Sequence, residues 1–375
     1  MNFKEKTTPE EYRYFLALSL APKIGPGVFK AILAYAGSAQ NFFQIPKGKA
    51  AKIPKVGPKL LELREQKDTL LRAADQLIQN SEKKNIRILT HLDPEFPQRL
   101  KAQEDGPVVL FIKGNSTLNF ERTVGIVGTR NATDYGKSVT RKIIEDLAVY
   151  QPVIISGLAY GIDIEAHRLS LKTDLPTIGV LGSPIDQIYP AVHKSTAEQM
   201  LEKGALISEY PSGSKMAPGN FPARNRIIAG LSDALIVVEA AEKGGALITA
   251  EIAYSYDKEV FAVPGNLQSS FSEGCNQLIK KMKASIYTGP NDIAEALFWT
   301  KPGEQKVSKP SLDLSSRNGE EKLILELLLD KKELEIDMIS YQTGIPLGLL
   351  SSKLLELEFE GIIKSLPGKK YKIQY

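Results

Sequence analysis

The chain has 375 residues, a net charge of +4 and 42% hydrophobic residues. That is enough for two or three folded domains, and it permits an acidic partner such as nucleic acid without demanding one. No apolar run is long enough to span a bilayer, Met1 to Tyr12 is too charged for a signal peptide, and the single cysteine, Cys275, leaves no disulfide framework and no cysteine-based zinc site; the expectation is a cytoplasmic protein with no membrane partner.

Residues 1–84 read as a helical domain. Glu11–Leu20 and Val28–Tyr35 are amphipathic, and Leu60–Ser81 keeps apolar residues at three- and four-residue intervals. Two similar pieces interrupt them, Ala21-Pro-Lys-Ile-Gly-Pro-Gly27 and Ile53-Pro-Lys-Val-Gly-Pro58. Each resembles the turn of a helix-hairpin-helix unit, whose glycines present backbone N–H groups to a nucleic-acid phosphate. The competing reading is that Gly25, Gly27 and Gly57 only permit tight turns between packed helices. The domain is therefore expected to be helix-hairpin-helix or SAM-like.

Residues 85–300 alternate strands and helices. After an extended preamble, His91–Gly114, the predicted strands are Thr123–Val127, Val153–Ser156, Thr177–Leu181, Ala205–Ser208, Ala234–Glu239 and Val260–Val263. They are nearly continuous apolar runs, as expected where both faces of a parallel sheet are covered. The predicted helices between them are Lys137–Tyr150, Thr196–Glu202, Asn225–Leu231 and Ala246–Tyr256. This rhythm gives an α/β, doubly wound, mostly parallel sheet, in which ligands bind beyond the carboxyl ends of the strands.

The loop after the first of those strands, Gly128-Thr-Arg-Asn-Ala-Thr-Asp-Tyr-Gly136, reads as a phosphate-backbone cradle. A helix start offers unpaired N–H groups and a positive dipole end, and Arg130 adds a planar cationic fork. The dinucleotide fingerprint is absent, because Gly125 and Gly128 have the wrong spacing. Gly136-Lys137-Ser138 ends like a P-loop, but Asn131 stands where that motif needs glycine. In the next loop, Ser156-Gly-Leu-Ala-Tyr-Gly-Ile-Asp163, two glycines allow close backbone approach. Ser156, Asp163 and His167 can be assembled on paper into a triad; the favoured reading is that Asp163 caps the helix and orients His167. His91, His167 and His193 show no metal-ligand spacing, and neither a metal nor a cofactor is expected. A third piece, Asn220-Phe-Pro-Ala-Arg-Asn-Arg226, joins arginine forks to an aromatic ring at a helix start. The βα register would place Phe221 and Arg224 on the same rim as Arg130, a basic groove with an aromatic floor. Taken alone, Phe221 would be core and Arg226 an ion-pair partner.

Residues 301–318, polar and rich in Pro, Ser and Lys, read as a linker. Residues 319–375 carry three helical patterns and a basic, β-prone end. The order resembles a winged helix, with Pro346–Phe359 as the recognition-type helix and Lys364, Lys369, Lys370 and Lys372 on the wing. Winged helices bind DNA in many families and only proteins in others.

A series of motifs then appears in order: Gly125-Ile-Val-Gly-Thr-Arg130 with Tyr135-Gly136, Ser156–Asp163 with Ala166-His167, Tyr189-Pro190, Ser208-Glu209 and Phe221–Leu231. Val237–Ala240, Ile248–Ala250, Val263–Gly265 and Gly274–Asn276 follow. Together they resemble the DNA-processing protein A family (DprA, also called Smf). The resemblance implies an extended Rossmann-like domain that dimerises, in a non-enzymatic bacterial protein of natural transformation. Such a protein would bind and protect incoming single-stranded DNA and help load the RecA recombinase. By matching motif, Arg130 would hold a DNA phosphate with the Gly128 and Thr129 backbone beside it, and Gly157 and Gly161 would line the same groove. Phe221 would stack on or support a base, and Arg224, Asn225 and Arg226 would complete the basic rim. Pro184, His193, Gly244-Gly245-Ala246 and Lys283-Ala284 depart from the family pattern, so the later loops are expected to be shaped differently. The alternatives are a phosphoribohydrolase-like enzyme on small nucleotides and a duplex-binding regulator acting through the winged helix.

Overall fold

A computed structural model describes residues 8–22, 24–301, 319–331, 333–366 and 369–373. The chain divides into two compact units, Met1–Lys301 and Pro302–Tyr375. The predicted linker, Lys301 apart, lies outside the described residues, as does Lys23 of the first glycine turn.

The larger unit is built on a nine-stranded sheet ordered β1-β2-β6-β5-β4-β3-β7-β8-β9. Its strands are β1 Arg87–Thr90, β2 Val109–Lys113, β3 Thr123–Val127, β4 Val153–Ser156, β5 Thr177–Leu181, β6 Ala205–Ser208, β7 Ala234–Val237, β8 Glu259–Ala262 and β9 Ser285–Ile286. From β6 through β9 every neighbouring pair is parallel. β1 and β2 extend one edge antiparallel, so the predicted preamble is in part sheet. Both faces of the parallel strands are covered, and Val124, Ile126, Ile155, Val180 and Ile236 are almost wholly buried. This is the physical reason those runs lack polar alternation.

The helical front does not pack as a body apart. Helices Pro9–Ser19, Pro26–Ala36 and Lys67–Lys83 share one hydrophobic cluster with Val109, Phe111, Leu181 and Leu206 of the sheet. The sequence-based boundary at residue 84 therefore separates topology, not cores. In the two glycine turns, Gly25 and Gly57 are the N-cap residues of helices Pro26–Ala36 and Pro58–Leu63, each followed by Pro at the first helical position.

In the smaller unit, helices Gly319–Lys331, Ile336–Thr343 and Leu347–Phe359 pack with an antiparallel sheet of β10 Glu333–Glu335, β12 Lys370–Ile373 and β11 Ile363–Leu366. Ile324, Leu328, Ile339, Leu350, Leu354 and Ile363 form its core. This is the expected winged-helix order.

Candidate nucleic-acid interface

The chain runs outward from β3 through β4 and β5 to β6, then returns to lay β7 against the other side of β3. The loops leaving β3 and β7 therefore diverge, and the crevice at such a switch point is where doubly wound sheets take their ligands. A cleft of about 310 Å³ opens there. Gly128, Thr129 and Arg130 line it from β3, Lys243, Gly244 and Gly245 from β7, and Phe221, Arg224 and Asn225 from the helix Asn220–Leu231. Arg130 and Phe221 thus face one cavity, and Arg130 and Lys243 are both exposed at it.

The helix carrying the Phe-Pro-Ala-Arg-Asn-Arg segment starts five residues earlier than the sequence indicates. Pro222 falls at its third position, where no intrahelical N–H partner is needed. Helical geometry then sends neighbouring side chains to different faces. Phe221 packs on Tyr189 with ring centroids 5.3 Å apart, and it covers Gly182, whose missing Cβ would lie 2.7 Å from its ring. Tyr189 is half exposed beside it, as is Tyr160 against the His193 ring. Arg224 turns inward. Only 5% exposed, it donates to the carbonyl of Gly157 at 2.6 Å and to that of Val180, tying the ends of β4 and β5 together. Burial pulls its guanidinium down to about 10, with Asp163 opposing. Asn225 donates to the Gly245 carbonyl at 3.2 Å and fixes the turn after β7. Arg226 leaves the cleft altogether. It forms a two-pronged pair with Glu209 at 2.5 and 2.6 Å and donates to the Asp105 carbonyl. The basic rim read from the sequence is therefore corrected: Arg224 belongs to the floor and Arg226 to an ion pair outside it.

The glycines are corrected too. Neither Gly157 nor Gly161 lines the cleft. A Cβ on Gly157 would meet the Arg224 guanidinium at 2.4 Å, and one on Gly161 the Thr129 carbonyl oxygen at 2.1 Å. Gly161 also has φ +77°, a left-handed conformation that favours glycine. These residues serve the packing of one loop on the next. The helix start after β3 already has partners within the protein for some of its donors. Thr133 caps the helix Asp134–Leu147 by accepting from Gly136 N–H, while the Glu239 carboxylate accepts the Thr133 N–H at 3.0 Å and its hydroxyl. The cleft is lined by cationic and aromatic side chains, Arg130, Lys243 and Phe221.

No triad forms from Ser156, Asp163 and His167. The Ser156 hydroxyl donates to the Ile126 carbonyl at 2.6 Å, the Asp163 carboxylate accepts Gly157 N–H at 3.1 Å, and His167 Nδ1 bonds Thr177 Oγ1 at 2.7 Å. Asp163 does not orient His167. Burial pushes the Asp163 carboxyl up and the His167 ring down to about 3. Among the departing positions, His193 bonds the Leu158 carbonyl at 2.8 Å, and Lys283 pairs with Glu251 at 2.5 Å, outside the cleft. Lys243 was missed from the sequence; its signal was a cation just before Gly244-Gly245 in the loop after the returning strand. Among the described residues no group of His, Cys, Asp or Glu could hold a metal ion, and no helix is long and apolar enough to cross a membrane.

The predicted recognition helix is poor in cations. Its one basic residue, Lys353, bonds Glu321 at 3.2 Å and Glu356 at 2.8 Å, while Leu347, Leu349, Leu355 and Phe359 are exposed. Lys364, Lys369 and Lys372 of the wing stay exposed.

A Rossmann-type sheet with an antiparallel extension, a switch-point cleft of cations and rings, and a winged helix together define the class of this protein. Residues 87–298 match the DNA recombination-mediator protein A family, and residues 308–369 match its winged-helix domain. The chain belongs to that family. It is 32% identical to Protein Smf of Synechocystis, over 96% of this chain and 98% of that protein. It is 43% identical to the DNA processing protein DprA of Bacillus subtilis, over 54% and 68%. The solved structure of DprA from Streptococcus pneumoniae aligns with a TM-score of 0.65 at 32% identity, over 77% of this chain and 98% of that one. That of DNA processing protein A from Helicobacter pylori, described by its single-stranded DNA binding mode, aligns at 0.51 and 30% identity, over 57% and 95%.

Proposed function

We propose that this protein binds single-stranded DNA along the switch-point cleft, with Arg130 on a backbone phosphate and Phe221 beneath a base. The observation that carries the reading is that Arg130 and Phe221 line one cavity, together with Lys243 from the loop after β7. A guanidinium fork and an exposed amine suit phosphates, and a ring stacks on any unpaired base without selecting its identity. The likeness to a Helicobacter pylori protein whose single-stranded DNA binding mode is described supports it. As the family resemblance implies, the bound strand is one taken up in natural transformation. The protein, as a homodimer, shields that strand and helps load RecA without catalysing a reaction itself.

The test is fluorescence anisotropy of the full chain with an unpaired oligonucleotide, the matching duplex and free nucleotides, at two salt concentrations. Arg130→Ala is expected to weaken binding to every unpaired sequence and to reduce the salt slope by about 0.7, the share of one neutralised phosphate on a single strand. Unchanged binding by that variant sinks the assignment. Equilibrium sedimentation tests the homodimer. RecA filament nucleation on the same oligonucleotide, with and without the protein, tests the loading role.

A further inference from the structure

Glu239 follows β7 and is only 3% exposed, yet it is an acid beside a cleft that offers cations. Its main-chain carbonyl accepts Thr129 N–H at 2.7 Å, on one side of Arg130. Its carboxylate accepts the Thr133 N–H at 3.0 Å and the Thr133 hydroxyl on the other. Gly136, in the first turn of the next helix, makes room for it: a Cβ there would lie 2.1 Å from the carboxylate oxygen. One residue thus holds both ends of the loop that carries Arg130. A buried carboxylate is costly to keep unless its bonds and a favourable field repay it. Here the field is the positive end of the helix Asp134–Leu147. That is also where a Rossmann-type fold seats the phosphates of a dissociable nucleotide.

We propose that Glu239 is a positioning residue for DNA binding, an internal anion occupying the fold's own phosphate seat. It sets the Thr129–Thr133 loop so that Arg130 points outward to a passing strand, and it denies the helix start to free phosphates. This rests on the reading that Arg130 contacts DNA.

The experiment is a double-mutant cycle in the full chain. Oligonucleotide affinity is measured for the parent, Arg130→Ala, Glu239→Ala and the pair, with thermal unfolding of each. Glu239→Ala is expected to weaken binding about tenfold, and the pair to bind no worse than Arg130→Ala alone, because Glu239 acts through Arg130. Independent, multiplying losses, or full affinity in Glu239→Ala, overturn the proposal. If Glu239→Ala fails to fold, Glu239→Leu, which fills much of the same volume but can accept neither Thr133 bond, carries the same cycle. A second readout is competition by inorganic pyrophosphate at constant ionic strength. It is expected to displace the oligonucleotide from Glu239→Ala but not from the parent; equal competition overturns the seat-filling role. Full affinity in Arg130→Ala instead overturns the assignment of Arg130 to DNA, and this inference with it.

Discussion

In the loops after β3 and β4 the glycines answer to the protein's own atoms, whereas in the turns before helices Pro26–Ala36 and Pro58–Leu63 they do not. A side chain on Gly128 would strike Ile162 at 2.4 Å, one on Gly157 the Arg224 guanidinium at 2.4 Å, and one on Gly161 the Thr129 carbonyl at 2.1 Å. Around Gly25 and Gly57 a Cβ would meet nothing within 4 Å, and their φ values of −81° and −94° are open to any residue. The two regions look alike as sequence and differ in physical content. In the core loops the glycines are consumed by close packing, so a ligand must be met by side chains such as Arg130, Lys243 and Phe221. At Gly25 and Gly57 neither strain nor packing demands glycine, whereas a Cβ on Gly27 would touch Lys55 Nζ at 3.6 Å.

The largest test of this contrast is Gly161→Ala. The new methyl would need a left-handed backbone and would press on main-chain atoms of Thr129 and Arg130, which cannot swing aside as a side chain tip can. A loss of roughly 3 kcal/mol or more is expected from backbone strain and overpacking together. Urea unfolding of the variant measures it. A loss under about 1 kcal/mol would mean that the loops give way easily, and the distinction between the two regions would fail.

Acid sharpens the same contrast, because His167 lies wholly buried on the helix that follows the second core loop, while the turns carry no histidine. Its ring is held down to about 3 by burial, against an ordinary 6.5. The unfolded chain therefore takes up the proton first, and stability contributed above pH 6.5 is lost as pH falls from 6.5 toward 3. The slope is about 1.4 kcal/mol per pH unit, or roughly 2 kcal/mol between pH 6.5 and 5. Unfolding of the parent and of His167→Gln at pH 7 and pH 5 checks it: the variant is expected to lose less on acidification. Equal losses would move the acid sensitivity elsewhere.

How much of this was legible depends on where each partner sits in the sequence. The parallel strands announce themselves because burial on both faces leaves an unbroken apolar run, as in Thr177–Leu181. β1 is only partly buried and β9 spans two exposed residues, so neither leaves such a run. The shared cavity of Arg130 and Phe221 follows from βα register alone, since loops after parallel strands gather at one edge. The fate of the other arginines does not. Arg226 is claimed by Glu209, 17 residues earlier, and Arg224 by carbonyls of Gly157 and Val180 on neighbouring strands. The phosphate cradle is narrowed for the same reason: Glu239, 106 residues beyond Thr133, takes the Thr133 N–H at the helix start. Local pattern reveals which groups could meet a ligand, while tertiary partners decide which remain free to do so.

The smallest expected effect separates the regions most cleanly. Gly25→Ser and Gly57→Ser place a hydroxyl at two N-cap positions that make no side-chain cap bond, with extended backbone at ψ 168° and 176°. Serine at such a position accepts from the N–H two or three residues on, so each variant is expected to be neutral or more stable by a few tenths of a kcal/mol. The same substitution at Gly161 would be ruinous. Thermal unfolding resolves the sign if the two turn substitutions are combined. A loss above about 1 kcal/mol would reveal an internal demand on these glycines, and the turns would then rejoin the core loops as packing devices. A neutral result leaves their openness unexplained by folding. The same two variants, titrated with duplex and unpaired oligonucleotides, then ask whether the hairpin-like turns meet a phosphate, one of the two readings their sequence left open.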